Sequence, residues 1–145
     1  MAKPNQLDVR GPRFGAAVTT VVLAAAFLTA NTALATVLLV IQTIAFAIGA
    51  GVGPHAQPYG QFFAKVVRPR LAPATKFEAP QPPRFAQAVG FGFAVVALLG
   101  ILIGNSALTA IAVGFALAAA FLNAAFGFCL GCEVYLLIRR VVPAS

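Results

Sequence analysis

The chain has 145 residues, of which 61% are hydrophobic and only 9% are charged, and its mean hydropathy is +0.94. A soluble domain of this length carries about a quarter charged residues, so too few polar side chains are present to cover a water-facing surface. This composition excludes a soluble globular protein and predicts an integral membrane protein.

The net charge of +7 would suit a nucleic-acid-binding protein, but the distribution of the charge argues against one. Basic residues flank the apolar segments, and no basic face is interleaved with aromatic side chains. We therefore expect the lipid bilayer to be the electrostatic partner and expect no nucleic acid. No glycine-rich phosphate-binding motif follows a predicted strand, and we expect no cofactor.

Four apolar segments are long enough to cross a membrane as helices, which takes about 20 residues each. They are residues 14–30, 33–53, 85–104 and 107–128. The first follows a basic arm, as a secretory signal would. It is longer than the apolar core of a signal peptide and has a counterpart later in the chain, so we interpret it as a retained helix.

An amphipathic segment and a proline-rich linker separate the second and third spans. In residues 57–71, apolar side chains recur at roughly helical spacing beside basic ones, which predicts a short helix at the membrane interface. Residues 72–83 contain four prolines and are predicted to be a linker, because proline interrupts helices.

The two halves of the sequence resemble each other. Pro12-Arg13-Phe14 recurs as Pro83-Arg84-Phe85, and Asn31-Thr32-Ala33-Leu34 recurs as Asn105-Ser106-Ala107-Leu108. Two tandem hairpins of equal orientation are related by a pseudo-two-fold axis along the membrane normal. The predicted fold class is therefore an all-α integral membrane protein, a single domain of four transmembrane helices plus the short interfacial helix.

The charged residues indicate the topology. All ten basic and three acidic residues fall in the N-terminal arm, the central segment or the C-terminal end, and none falls in the two tight turns. The positive-inside rule then predicts a multi-pass protein of the plasma membrane, with both termini and the central segment in the cytoplasm.

Small residues one helical turn apart predict close helix packing in membranes. The chain has three such pairs, Gly49 and Gly53, Gly100 and Gly104, and Gly127 and Gly131. They would serve contacts within the chain or between copies in an oligomer. Gln42 and Asn123, polar residues within the spans, are expected to form interhelical hydrogen bonds rather than bind a ligand.

Both cysteines lie at the end of the fourth span, as Cys129-Leu-Gly-Cys132, and Glu133 follows them. On a continuous helix the three side chains would share a face. Such a pair can form a disulfide, bind a soft metal or carry sulfane sulfur as a persulfide, so Cys129, Cys132 and Glu133 are the candidate catalytic residues. A carboxylate disfavours a nearby thiolate but can accept its proton. At a cytoplasmic interface the pair is expected to rest as a dithiol.

A metal site would need more ligands than two thiolates. His55, the only histidine, aligns with Cys129 in the repeat register. It is thus the third candidate ligand beside Cys129 and Cys132. A lone interfacial histidine is more often solvated or capping, and we predict no metal.

Three stretches carry a family resemblance. They are Asp8-x-Arg10-Gly11-Pro12-Arg13-Phe14, the central Pro58-Tyr59-Gly60 with Val67-Arg68-Pro69-Arg70-Leu71, and residues 121–133 with their Cys-Leu-Gly-Cys-Glu motif. Over nearly its whole length the chain resembles a bacterial family of small multi-pass membrane proteins of unknown function. The resemblance implies no established activity. It implies a genomic setting, because such proteins are often encoded near thioredoxin-like proteins and rhodanese-type sulfurtransferases, one of which would be the partner.

The leading hypothesis is a membrane-embedded dithiol protein for thiol redox or sulfane-sulfur handling, with a soluble thioredoxin-like or rhodanese-like partner. One alternative is a non-catalytic membrane subunit that docks or stabilises a partner complex. Another is a transporter of sulfur species, for which four short helices leave little room unless the protein oligomerises. Whether the protein is an enzyme is left open.

Overall fold

The structure, a computed structural model, describes residues 6–142. Its helices are, in chain order, α1 (Arg10–Leu28), α2 (Ala33–Gly51), α3 (Pro58–Phe62), α4 (Gln81–Leu102), α5 (Ser106–Phe126) and α6 (Leu130–Val141). Four of them, α1, α2, α4 and α5, are long and apolar enough to cross a membrane. The chain is an all-α integral membrane protein, as its composition predicts.

The four long helices correspond to the four predicted spans, with shifted ends. Each helix ends two residues before the predicted span, because the turn residues begin earlier than apolar composition suggests. The helices α1 and α4 also begin four residues earlier, at Arg10 and Gln81. Pro12 and Pro83 therefore lie near the helix starts, where a missing N–H breaks no intrahelical bond.

The two tight turns are closed by local polar chemistry. Asn31 has a positive φ of 67° in the first turn, and Gly104 has one of 75° in the second. The next helix is then capped by a side chain: Thr32 accepts a hydrogen bond from the Ala35 amide, and Asn105 accepts one from the Leu108 amide. Short capped turns of this kind hold α1 against α2 and α4 against α5 as antiparallel hairpins.

The hairpins pack crosswise, α1 on α5 and α2 on α4, while α4 also packs on α5. The core they enclose is made mostly of small or compact side chains, namely Leu23, Ala26, Leu39, Ala97, Ala112, Val113 and Ala116. Small side chains allow the close helix approach that drives association in membranes. Large apolar side chains such as Leu28 and Leu102 are more than 80% exposed on the outside.

Equivalent contacts in the two halves reproduce the sequence repeat. Phe14, at the start of α1, packs on Phe62 and Phe63 after the first hairpin, with ring centroids 5.9 and 5.7 Å away. Phe85, its counterpart on α4, packs on Tyr135 of α6 at 5.6 Å. Each half therefore consists of two long helices and a short helical segment that folds back on the first of them.

The central segment is helical over residues 58–70, because α3 continues as a π-helical turn (Phe63–Val67) and a 3₁₀ turn (Arg68–Arg70). A strand pair that the sequence does not reveal then ties the linker to the N-terminal arm. The strand β1 (Leu7–Asp8) pairs antiparallel with β2 (Phe77–Glu78). The proline-rich composition predicts a linker but does not predict this strand pair, which we call the clip. Strands of two residues have no periodic sequence pattern.

Candidate thiol site

The helix α5 stops just before the cysteines. Gly127 adopts a positive φ of 68°, and its amide donates to the Asn123 carbonyl at 2.9 Å. The Phe128 amide donates to the Leu122 carbonyl at 3.2 Å, which completes a glycine-terminated helix end. The helix therefore does not run unbroken through the Cys-x-x-Cys stretch.

A new helix begins directly after Cys129, which is the N-cap of α6. Its Sγ accepts a hydrogen bond of 3.1 Å from the Cys132 amide, so the first cysteine does for α6 what Thr32 and Asn105 do for α2 and α5. The two cysteine Cα atoms are 5.1 Å apart and the sulfurs are bonded to each other. The sequence predicted a resting dithiol from the expected compartment alone, and this expectation was wrong for the structure, in which the pair is a disulfide. The N-cap geometry places the two Cα atoms within the range that a disulfide spans.

The disulfide contributes little to stability as a structural cross-link. A cross-link between residues three apart closes a very short loop and stabilises a fold by only about 2 kcal/mol in the chain-entropy description. Both cysteines are only partly buried. The N–H groups and dipole of a helix N-terminus favour the thiolate form, which is the nucleophile of thiol–disulfide exchange.

Glu133 lies exposed in the first turn of α6, where a carboxylate suits the positive end of the helix dipole. Its amide donates to the Cys129 carbonyl at 3.0 Å. The continuous helix that would put Cys129 and Glu133 on one face is interrupted, because Cys129 has extended backbone angles. A role for Glu133 as proton acceptor stays a prediction.

Close packing on α4 positions the start of α6. A β-carbon on Gly131 would lie 2.6 Å from Cα of Ala86, so this residue has to be glycine for the two backbones to approach. One turn later, the Tyr135 ring packs on Phe85 and lies 6.0 Å from the Arg139 guanidinium. These contacts hold the start of α6 in place, and with it Cys132.

Arg13 lies next to the site, and reasoning from the cysteines did not identify it. Its guanidinium donates to the carbonyls of Ala124 and Ala125, both at 3.3 Å, in the last turn of α5. It also borders Gly127, two residues before Cys129. The signal that could have revealed it is the repeated Pro-Arg-Phe triplet, because a cation is favoured at a helix C-terminus.

The glycine pairs divide into two roles. Gly49, Gly100 and Gly131 lie at close contacts, with Gln87, Thr109 and Ala86 respectively. Their partners Gly53, Gly104 and Gly127 have positive φ angles at helix ends. The predicted close packing is thus present within the chain at one glycine of each pair. Contacts between copies stay a prediction.

The predicted hydrogen-bonding role of Gln42 is confirmed. Its fully buried amide donates to Thr19 Oγ1 on α1 at 3.3 Å and accepts from the Tyr59 hydroxyl at 2.8 Å. His55 lies exposed beside Gly53, at the corresponding end of the first half. Within residues 6–142 no three histidine, cysteine, aspartate or glutamate side chains come together as metal ligands.

The fold and site define a small helical membrane protein with a Cys-x-x-Cys disulfide at the start of a short helix. Residues 7–140 match the family described as a domain of unknown function, DUF4395. The chain belongs to that family. Searches of the curated proteins and of the solved structures find no match.

Proposed function

We propose that the protein exchanges electrons, as thiols and disulfides, with a soluble thiol protein at the membrane surface. The observation that carries the proposal is the position of Cys129 as N-cap of α6, with its sulfur bonded to Cys132 and hydrogen-bonded to the Cys132 amide. A cysteine with a purely structural role would need neither a position at the start of a helix nor partial exposure to solvent.

In the dithiol state Cys129 is the attacking thiolate, because the Cys132 amide and the helix N-terminus stabilise negative charge on its sulfur. Its Sγ attacks the partner's disulfide, forms a mixed disulfide and releases the partner's second sulfur as a thiolate. Cys132 then loses its proton and attacks Cys129 Sγ, which breaks the mixed disulfide. Two electrons pass from the cysteine pair to the partner, and the reverse sequence re-reduces the pair.

The partner class comes from the family resemblance, which implies thioredoxin-like or rhodanese-type proteins nearby. With a rhodanese-type partner, the Cys129 thiolate takes the outer sulfur of the partner's persulfide and releases the partner's thiolate. Attack by Cys132 on Cys129 Sγ then forms the disulfide and expels hydrosulfide. Release of sulfide distinguishes this reaction from plain disulfide exchange.

The site is at the charged end of the bundle. Arg13 and Arg84 lie at the starts of α1 and α4, and each donates to the end of a neighbouring long helix, so these helix ends meet at one side. The turns at the other side carry no charge. By the positive-inside rule the charged end is cytoplasmic, which gives the disulfide access to soluble cytoplasmic partners.

A docking subunit without chemistry is less well supported, because the contact glycines already pack within the chain. A transporter is also disfavoured. A cavity of about 550 Å³ lies between the hairpins near the two tight turns, but uncharged residues line it, so it offers no cation to an anionic sulfur species.

The test is to express the full chain with Cys132→Ser or Cys129→Ser in its native host and quench membranes with acid and an alkylating agent. We expect Cys132→Ser to accumulate a mixed disulfide or a persulfide on Cys129, and Cys129→Ser to accumulate much less. The double variant is the control for adventitious thiols. The proposal fails if the wild-type pair cannot be reduced and reoxidised in cells, or if neither single variant captures a partner or sulfur.

A further inference from the structure

The helix α6 has two unlike sides. Four apolar side chains follow one another at intervals of four, three and four residues and therefore lie on one side of the helix: Leu130, Val134, Leu137 and Val141. The side opposite this row carries Cys132 and Arg139, and Glu133 and Arg140 flank the row beside Leu137. Leu136 and Ile138 are the further apolar side chains of the helix. The chain's other short helical segment buries Phe63, whereas α6 has no buried residue.

The rest of the described chain does not cover the apolar side. Leu137 and Val141 are 59% and 74% exposed, and Leu130 and Val134 are also exposed. The contacts that hold α6 on α4 come from Gly131 and Tyr135, which lie between the two sides. The apolar row is therefore free while the helix itself is held in place.

The surroundings of α6 indicate what covers this row. Phe126 and Phe128, which lead into α6, are exposed in the same way as the outer side chains of the long helices. The side chains of the apolar row are thus exposed in the same way as the outer side chains that the four spans present to lipid. Two arginines in the last turn supply the charge that anionic headgroups attract, and basic residues beside an apolar face are typical of helices lying in the interface.

We propose that α6 lies in the membrane–water interface on anionic lipid. Leu130, Val134, Leu137 and Val141 insert among the acyl chains, and Arg139 and Arg140 bind lipid phosphates. The glycine-terminated end of α5 makes this placement accessible, because the chain leaves the axis of α5 at Gly127. Cys132 then faces water, since it lies on the side opposite the apolar row.

This placement does not depend on the exchange reaction. It would hold for a protein whose cysteines do nothing, and the experiment below uses a background without them. The test compares Leu137→Cys, within the apolar row, with Leu136→Cys, about 100° away around the helix and outside the row, each in the full chain carrying Cys129→Ser and Cys132→Ser. Both native side chains are exposed, so neither label displaces packed protein.

Each variant is labelled with bimane and reconstituted in vesicles of phosphatidylcholine with phosphatidylglycerol. We expect brominated acyl chains to quench the label at 137 several-fold more than the label at 136, and aqueous iodide to show the reverse order. Val21→Cys, on the exposed side of α1, calibrates the lipid limit, and Lys76→Cys, in the linker, calibrates the aqueous limit.

Three results would overturn the proposal. Equal iodide quenching at 136 and 137 means that the helix stands in water. Protection of position 137 from both quenchers means that a second copy or another protein covers the row. The third result is that lipid quenching at 137 is the same in pure phosphatidylcholine and is unchanged by Arg139→Gln with Arg140→Gln. It would mean that anionic lipid takes no part in the interaction.

Discussion

Arg13 and Arg84 occupy equivalent positions in the two halves, and each caps a helix of the other half. Arg13 donates to the last turn of α5, at Ala124 and Ala125. Arg84 donates to the last turn of α2, at Ala50 and Gly51. These two reciprocal caps join the hairpins at the end of the bundle where the disulfide lies.

Removing one of these caps is expected to destabilise the bundle. Arg84→Gln leaves the Ala50 and Gly51 carbonyls without their charged donor, and we expect a loss of about 1 kcal/mol in the free energy of unfolding. Arg13→Gln should cost a similar amount. The measurement is denaturant unfolding in detergent. Arg70→Gln, at an exposed position of the 3₁₀ turn, is the matched control and should change little. A loss as large in the control would mean that only net charge matters.

Gly131 is expected to tolerate no side chain. Gly131→Ala puts a β-carbon 2.6 Å from Cα of Ala86, so α6 has to move away from α4. We expect a cost of about 1–3 kcal/mol, as for overpacked cores, and faster hydrogen exchange in α6. Gly114→Ala is the control, because a β-carbon there meets nothing within 4 Å. That change should stabilise α5 by about 0.5–1 kcal/mol through helix propensity. Equal behaviour of the two variants would contradict the packing described at Gly131.

The hydroxyl of Tyr59 is expected to stabilise the bundle through Gln42. Tyr59→Phe leaves the Gln42 amide oxygen unpaired in the interior, at a cost of about 1–3 kcal/mol in unfolding free energy. Burial also raises the pKa of Tyr59, so its phenol stays protonated above the ordinary tyrosine pKa. The stabilisation is present below that ordinary pKa and is lost as pH rises through the folded pKa. Ultraviolet titration of the Tyr135→Phe variant reports Tyr59 alone, and a pKa at or below 10.0 would refute this.

The clip between the N-terminal arm and the linker is expected to open in acid. Burial by itself would raise the pKa of Asp8, but hydrogen bonds from the Arg10 side chain and amide outweigh it and lower the pKa. The contribution to stability is therefore present above the ordinary aspartate pKa and is lost as pH falls through the folded pKa. Hydrogen exchange at the Val9 amide, which donates to the Lys76 carbonyl, should show opening at low pH.

The Asp8→Asn variant tests the same clip at neutral pH. We expect trypsin to cut after Lys76 several-fold faster than in the wild-type chain. Glu78→Gln is the control on the partner strand. Burial raises the pKa of Glu78, which means that burying its charged form costs free energy. Removing the charge relieves this cost and should not open the clip. Faster cleavage in both variants would show that charge on the strands, rather than the Asp8–Arg10 pair, holds them.

The long helices were predictable because their signal is local and repeated. Apolar composition over about 20 residues identifies a span without knowledge of its neighbours, and the Pro-Arg-Phe triplets revealed the repeat. The break before Cys129 was not predictable in the same way. Gly127 is equally compatible with a packing glycine and with a helix end, and the sequence alone led to the first interpretation.

The site was predictable in identity but not in geometry. A Cys-x-x-Cys pair is visible in any sequence, yet its chemistry depends on whether Cys129 lies inside a helix or caps one. That choice is made by Gly127, and the start of α6 is then held by Gly131 against Ala86, a residue more than 40 positions away. Contacts of this kind leave no trace in periodicity. The pairing of β1 with β2 was not predictable for the same reason.

The duplicated architecture has a consequence for stoichiometry. Both halves end in a short helical segment that is packed on the first helix of its half by an aromatic contact. The first half has no cysteine there, and Gln57 is the N-cap residue of its short helix where Cys129 caps α6. In the proposed exchange reaction, a partner approaching the charged end would meet two similar helix ends and could react only with the one that carries the cysteines. Each chain is therefore expected to engage one partner molecule at a time. The partner would have to distinguish the end with the cysteines from the similar end without them.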